Sequence, residues 1–186
     1  MKKMRFLIPM LLIFAMAMAF AGCGSGGDED TCDIPEPEAG GSAAFSFETE
    51  DLEGNAVHSA DLFAEQKVTM LNVWGTFCGP CIEEMPELEK ISQEYADRGV
   101  AIVGLVCDVS KEDDSLLQDA FDIIDDTSVT YRNLYWTADL EEQAGVSAVP
   151  TTFFVDQEGN MLGDPVVGAD PDMYRATLDL YLSEEE

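Results

Sequence analysis

Two cysteines stand two residues apart in NVWGTFCGPCIEEMP, residues 72–86. Cys78 and Cys81 admit three chemistries: a structural disulfide, half of a zinc site, or dithiol–disulfide exchange. A structural zinc site needs four soft or imidazole ligands. The other cysteines, Cys23, Cys32 and Cys107, are isolated in sequence, and His58 is the single histidine. A bridge closing so short a loop removes little chain entropy, so it would stabilise weakly. Exchange is the favoured reading. Cys78 follows an apolar run and precedes a helical pattern, where unpaired backbone N–H groups and the positive end of the helix dipole favour a thiolate. Such an environment lowers a thiol from a pKa of about 8.5 toward ~7. Cys81, one turn further on, is placed to resolve a mixed disulfide formed at Cys78. Pro80 suits the first helical turn, because the N–H it lacks would find no partner there.

The elements that must hold this pair are legible in the pattern. Residues 68–74, VTMLNVW, form a nearly continuous apolar run, as in a strand buried on both faces. Residues 81–96 carry helical spacing, and residues 100–107 form a second buried strand. Strand, helix and strand in that order predict a parallel βαβ unit. Alternation at Phe45, Phe47 and Thr49, then a turn at 52–55 and residues 56–58, predicts an N-terminal β-hairpin, with His58 an ordinary member of it. Helices are expected at 112–124, 138–144 and 172–182. Residues 151–155 read as a strand, 157–160 as a hairpin turn and 161–167 as its partner strand. Residues 129–136 are ambiguous. The class is α/β, a mixed sheet flanked by helices, expected over residues 45–186.

Ahead of that domain, Lys2, Lys3 and Arg5 front an apolar stretch at 6–20, short for a membrane span and suited to a signal peptide. It closes on Phe20-Ala21-Gly22-Cys23, which resembles the lipobox of bacterial lipoproteins; Phe20 stands in place of the usual Leu. The resemblance implies cleavage after residue 22 and lipidation of Cys23. Residues 24–44 are rich in Gly, Ser, Pro and acids and read as a flexible linker spanning about 25 Å. Without residues 1–22, which hold three basic and no acidic side chains, 6 basic face 38 acidic residues, a formal charge of −32. That charge repels nucleic acid and anionic lipid, so any membrane attachment must come from lipid.

The motif WGTFCGPC resembles the thioredoxin active site, and with the lipobox the chain is similar to the TlpA/ResA-type membrane-anchored thiol–disulfide oxidoreductases. Pro86, Val149-Pro150-Thr151-Thr152, Phe153-Phe154-Val155-Asp156 and Val167-Gly168-Ala169 match further motifs in order, so the resemblance covers residues 45–183. It implies a thioredoxin fold, Cys78 as nucleophile, Cys81 as resolving cysteine and a cis Pro150 across which substrate lies. Trp74, Phe77, Gly79, Pro80, Val149, Thr151 and Gly168 would surround the sulfur, with core packing an equal reading for Trp74. The redox-active disulfide would stand in place of a cofactor, and no metal is expected. Two positions depart from the family. Asn72 replaces the buried acid six residues before the first cysteine, and Gly79 stands where some relatives have glutamate. An amide does not exchange a proton as a carboxylate does. Glu84 is the candidate substitute, although Glu83 and Glu84 otherwise read as a solvated helix face.

The resemblance implies a monomeric reductase of extracytoplasmic protein disulfides, fed by a CcdA-type membrane donor, with apocytochrome c a common target. Two alternatives share the fold. A thiol peroxidase of the peroxiredoxin type would show Pro-x-x-x-Thr-x-x-Cys, which is absent around Cys78. A copper carrier of the Sco type would need wider cysteine spacing and a later histidine. Cys107 reads first as a small buried hydrophobe, with a third redox-accessible thiol the sharper alternative. Cys32 reads as an exposed thiol, idle or paired between molecules.

Overall fold

The computed structural model describes residues 44–183. The expected signal peptide and linker, with Cys23 and Cys32, therefore lie outside the described residues. A hairpin of β1 (Glu48–Glu50) and β2 (Ala56–His58) leads into α1 (Ser59–Ala64). Next come β3 (Val68–Trp74), α2 (Gly79–Tyr95) and β4 (Val100–Val106). They are followed by α3 (Asp114–Asp126), β5 (Asn133–Tyr135), α4 (Ala138–Ala144), β6 (Thr151–Val155), β7 (Val166–Val167) and α5 (Pro171–Ser183). The main sheet runs β5-β4-β3-β6-β7. β3 pairs in parallel with β4 from Val68↔Val100 to Trp74↔Val106, as the strand–helix–strand order requires. β6 lies antiparallel on the other side of β3, with Val73 opposite Thr151.

Every residue of β3 is buried, which explains its unbroken apolar run. Its alternation divides two cores. Met70 and Trp74 face α2, α3 and α5, while Leu71 and Val73 pack with α1, α4, Phe45 and Phe47. Each such side chain contributes about 1.5–3 kcal/mol on burial. Phe45 and Phe47 are both buried, meeting Phe153 and Phe63 edge-on at 5.3 and 5.9 Å between ring centroids. They precede the hydrogen-bonded part of β1, so their alternation marks burial rather than strand pairing.

The expected strand at 161–167 is a correction. Met161 makes one isolated bridge to Val155, and regular pairing resumes only at Val166–Val167. Gly163 adopts φ +73°, and Pro165 lacks an N–H, so the ladder cannot run through them. The ambiguous segment supplies β5. Helix α1, six residues long, is too short for a helical period to show in its sequence.

The sheet is tight where Gly104 of β4 passes the Asn133 side chain and the Trp74 indole. A Cβ at Gly104 would collide with Asn133 Oδ1, whose hydrogen bond from Trp74 Nε1 is 2.9 Å. Gly104→Ala is therefore expected to cost about 1–3 kcal/mol, read as a lower urea midpoint with unchanged slope.

Candidate active site

Cys78 is the residue that opens α2. Its backbone is extended (φ −93°, ψ 96°), its carbonyl accepts from Ile82 N at 3.1 Å, and its sulfur accepts from Cys81 N at 3.2 Å. Gly79 and Pro80 follow as the exposed first helical positions, with Pro80 inside the first turn as its missing N–H allows. Cys78 and Cys81 are joined as a disulfide with their Cα atoms 5.3 Å apart. Cys81 is the more deeply set, at 1% exposure against 6% for Cys78. The geometry thus separates an outer sulfur from an inner one, as attack and resolution require.

The preceding loop is held from β4. Asp108 accepts hydrogen bonds from Thr76 N at 3.1 Å and from Thr76 Oγ1 at 2.5 Å. Phe77 is thereby presented outward, 71% exposed, with its ring over Gly75. A Cβ at Gly75 would fall 2.7 Å from that ring and 3.2 Å from Cys107 Sγ, so only glycine lets both sit there. Across the site, the Val149–Pro150 bond is cis. Pro150 precedes the Val73↔Thr151 pair, which sets it level with the end of β3. Gly168 (φ +95°) donates its N–H to Pro150 O at 2.8 Å and places exposed Val167 beside that loop.

Two of the residues expected around the sulfur are buried beneath the site rather than exposed on its rim. Trp74 is wholly buried; strand alternation turns it toward α2, into the same apolar cluster as Cys78 and Cys81. Thr151 is 4% exposed, and its hydroxyl donates to Ala148 O at 2.7 Å, so it shapes the loop from within.

Glu84 corrects the expectation of a solvated helix face. One turn beyond Cys81, it shares the buried face of α2, whereas Glu83 is exposed. Glu84 Oε1 accepts from Asn72 Nδ2 at 3.1 Å, and Oε2 accepts from the Tyr174 hydroxyl at 3.0 Å. Asn72 Nδ2 also donates to Thr152 Oγ1 at 3.0 Å. Burial raises the carboxyl to about 7 against an ordinary 4.5, its hydrogen bonds from Asn72 and Tyr174 pulling the other way. The strand position with an amide and the helix position with an acid thus meet in one buried cluster. Tyr174 and Thr152 were legible only as apolar-face and strand residues, because nothing in their spacing names a hydrogen-bond partner. Asp108 had a faint signal, a charge directly after a buried strand.

Cys107 is half-buried and unbridged. Burial first, then the adjacent Asp108 carboxylate, raise its thiol above the ordinary range, so it is mostly protonated near neutral pH. His58 lies in β2, its Nδ1 3.3 Å from Glu48 at an exposed position.

A model of the AhpC/TSA family matches residues 41–162. Among curated proteins, thiol-disulfide oxidoreductase ResA of Halalkalibacterium halodurans is 31% identical over 126 residues, covering 66% of this chain and 65% of that protein. Thioredoxin-like protein YneN of Bacillus subtilis is 30% identical over 119 residues, covering 64% and 66%. The chain thus spans about two thirds of the length of such relatives. Among solved structures, a thioredoxin-family thiol:disulfide interchange protein from Chlorobium tepidum TLS aligns with a TM-score of 0.63 at 24% identity, covering 76% of this chain and 96% of that one. A secreted Mycobacterium tuberculosis disulfide oxidoreductase aligns at 0.58 and 17% identity, covering 73% and 96%. The fold is that of thioredoxin, with the N-terminal hairpin added.

Proposed function

The chain belongs to the AhpC/TSA family, and from its similarity to proteins named thiol-disulfide oxidoreductase we propose that it is a thiol–disulfide oxidoreductase working by dithiol exchange at Cys78 and Cys81. The observation that carries this is the disulfide at the mouth of α2, with its outer sulfur beside an exposed apolar rim and its inner sulfur near a buried acid. In the reduced protein the Cys78 thiolate, favoured by the helix N-terminus, attacks a substrate disulfide and displaces one substrate thiolate. Cys81 then loses its proton, attacks the Cys78 sulfur and releases the second substrate thiolate. The product is the Cys78–Cys81 disulfide, which a dithiol donor must reduce before the next cycle. Glu84, raised to about 7, is the group suited to take the Cys81 proton near neutral pH.

The direction we assign is reduction of protein disulfides outside the cytoplasm, with apocytochrome c among the candidate substrates. A membrane donor of the CcdA type would supply electrons. The domain would act as a monomer held to the cell membrane through lipid on Cys23. Gly79-Pro80 between the cysteines supports the reducing direction. Thioredoxin, with the same dipeptide, stands at about −270 mV, against about −120 mV for the oxidant DsbA. Equilibration with glutathione or dithiothreitol buffers is expected to give a potential near the thioredoxin end. A value near the DsbA end would reverse the assignment. Turnover of peroxide by the same protein, at rates exceeding its disulfide reduction, would favour the peroxidase alternative.

A further inference from the structure

We infer that a cleft beside the disulfide is a subsite for a lysine or arginine side chain of the substrate polypeptide, close in sequence to the cysteine under attack. The inference rests on the exchange reading above and narrows it to a substrate class. The cleft has a volume of about 440 Å³. Phe77, Trp136, Val146 and Val149 give it apolar walls, Cys107 adds a protonated thiol, and Glu141 of α4 is its one charged lining residue. Phe77 directly precedes Cys78, and Val149 directly precedes Pro150, so the cleft continues the rim of the disulfide.

That lining suits one kind of side chain. A long apolar stem ending in a cation buries its methylenes against the walls and brings its head to a carboxylate. A purely apolar side chain would cover Glu141 without compensating its lost hydration, and an acidic one would meet like charge. Among the described residues the Glu141 carboxylate has no ion pair or side-chain hydrogen bond, and none of their cations is placed against it. Lys111 pairs with Glu50, Lys90 and Arg175 with Glu87, and Arg98 with Asp179. Lys67 stands before the first residue of β3, at the opposite end of the parallel strands from the cleft, and Arg132, level with the middle of β4, lies near the Asp51 carboxylate and lines a separate pocket with Asp61 and Glu65. The site end of the sheet is therefore acidic and apolar together, complementary to a basic segment of substrate.

The test uses the full chain, reduced, with peptides that carry one disulfide and differ at one position beside a cysteine: Arg, Leu or Glu. Neutral hydroxyethyl disulfide, too small to reach the cleft, reports exchange at the sulfurs alone. The Arg peptide is expected to exceed the Leu peptide in kcat/KM by about fivefold and the Glu peptide by more, with the preference shrinking as salt is raised. Glu141→Gln should abolish the preference and Glu141→Lys reverse it. Both variants should reduce hydroxyethyl disulfide at the wild-type rate. Equal rates for the Arg and Leu peptides, or a preference that survives Glu141→Gln, would overturn the subsite alone. Failure of the wild-type protein to reduce hydroxyethyl disulfide would overturn the exchange reading and the subsite with it.

Discussion

A Cys81→Ser protein is expected to stop after one chemical event per chain, leaving substrate covalently attached at Cys78. The outer sulfur keeps its place at the helix mouth, so capture proceeds. A serine hydroxyl is too weak a nucleophile to expel the substrate, so the adduct persists. Cys78→Ser, by contrast, should neither capture nor turn over, a loss of about a thousandfold or more. Peptide mapping of the trapped species places the adduct, and steady-state reduction of a protein disulfide measures the rates. Cys107 sharpens the test because it is the nearest unbridged thiol among the described residues. Full-speed cycling by the Cys81→Ser protein would show that another sulfur resolves the intermediate, and the division into outer and inner cysteine would fall.

Glu84→Gln is expected to make the protein more stable and slower at once. Folded, Glu84 holds its proton up to a pH of about 7, while the unfolded chain releases it near the ordinary 4.5. Between those values the native state binds more protons than the unfolded state, so the free energy of unfolding falls as pH rises. The stability associated with the protonated carboxyl is complete below about 4.5 and lost once pH passes about 7, a swing of about 3 kcal/mol. Glutamine keeps the shape and never ionises, so the variant should match wild type at pH 5 and exceed it by up to about 3 kcal/mol at pH 8. Exchange should meanwhile slow by about a hundredfold at pH 7, because no buried base remains to take the Cys81 proton. The rate should then rise only toward the titration range of the thiol, near ~8.5. Urea unfolding at the two pH values and rapid-quench measurement of the resolving step read the two effects separately. A variant that is stabilised yet equally fast would leave Glu84 a buried acid without a part in the chemistry.

Much of this molecule was written locally. The run at 68–74 announces a strand buried on both faces because no polar residue but Asn72 and Thr69 interrupts it. The Gly-Pro after Cys78 announces a helix start because of what proline lacks. Those two facts, with the second apolar run at 100–107, suffice to place Cys78 at a strand–helix junction on one edge of a parallel pair. Errors fell where local and long-range signals part. Residues 161–167 are apolar at both ends but carry Gly163, Asp164 and Pro165 between them, and the backbone decided. Trp74 was as consistent with a rim as with a core until the sheet assigned its face.

What the sequence determined is the reactive pair and the element that opens on it, since two cysteines separated by a Gly-Pro at a helix start are a matter of neighbours along the chain. Only the folded arrangement decided how the inner proton is handled and what lies beside the sulfur. Asn72 and Glu84 are 12 residues apart, Glu84 and Tyr174 are 90, and the cleft joins Phe77 to α4 across the sheet. Side-chain spacing within one element fixes which face a residue occupies. It carries no information about which distant element will cover that face, and burial by that partner is what moves Glu84 to about 7.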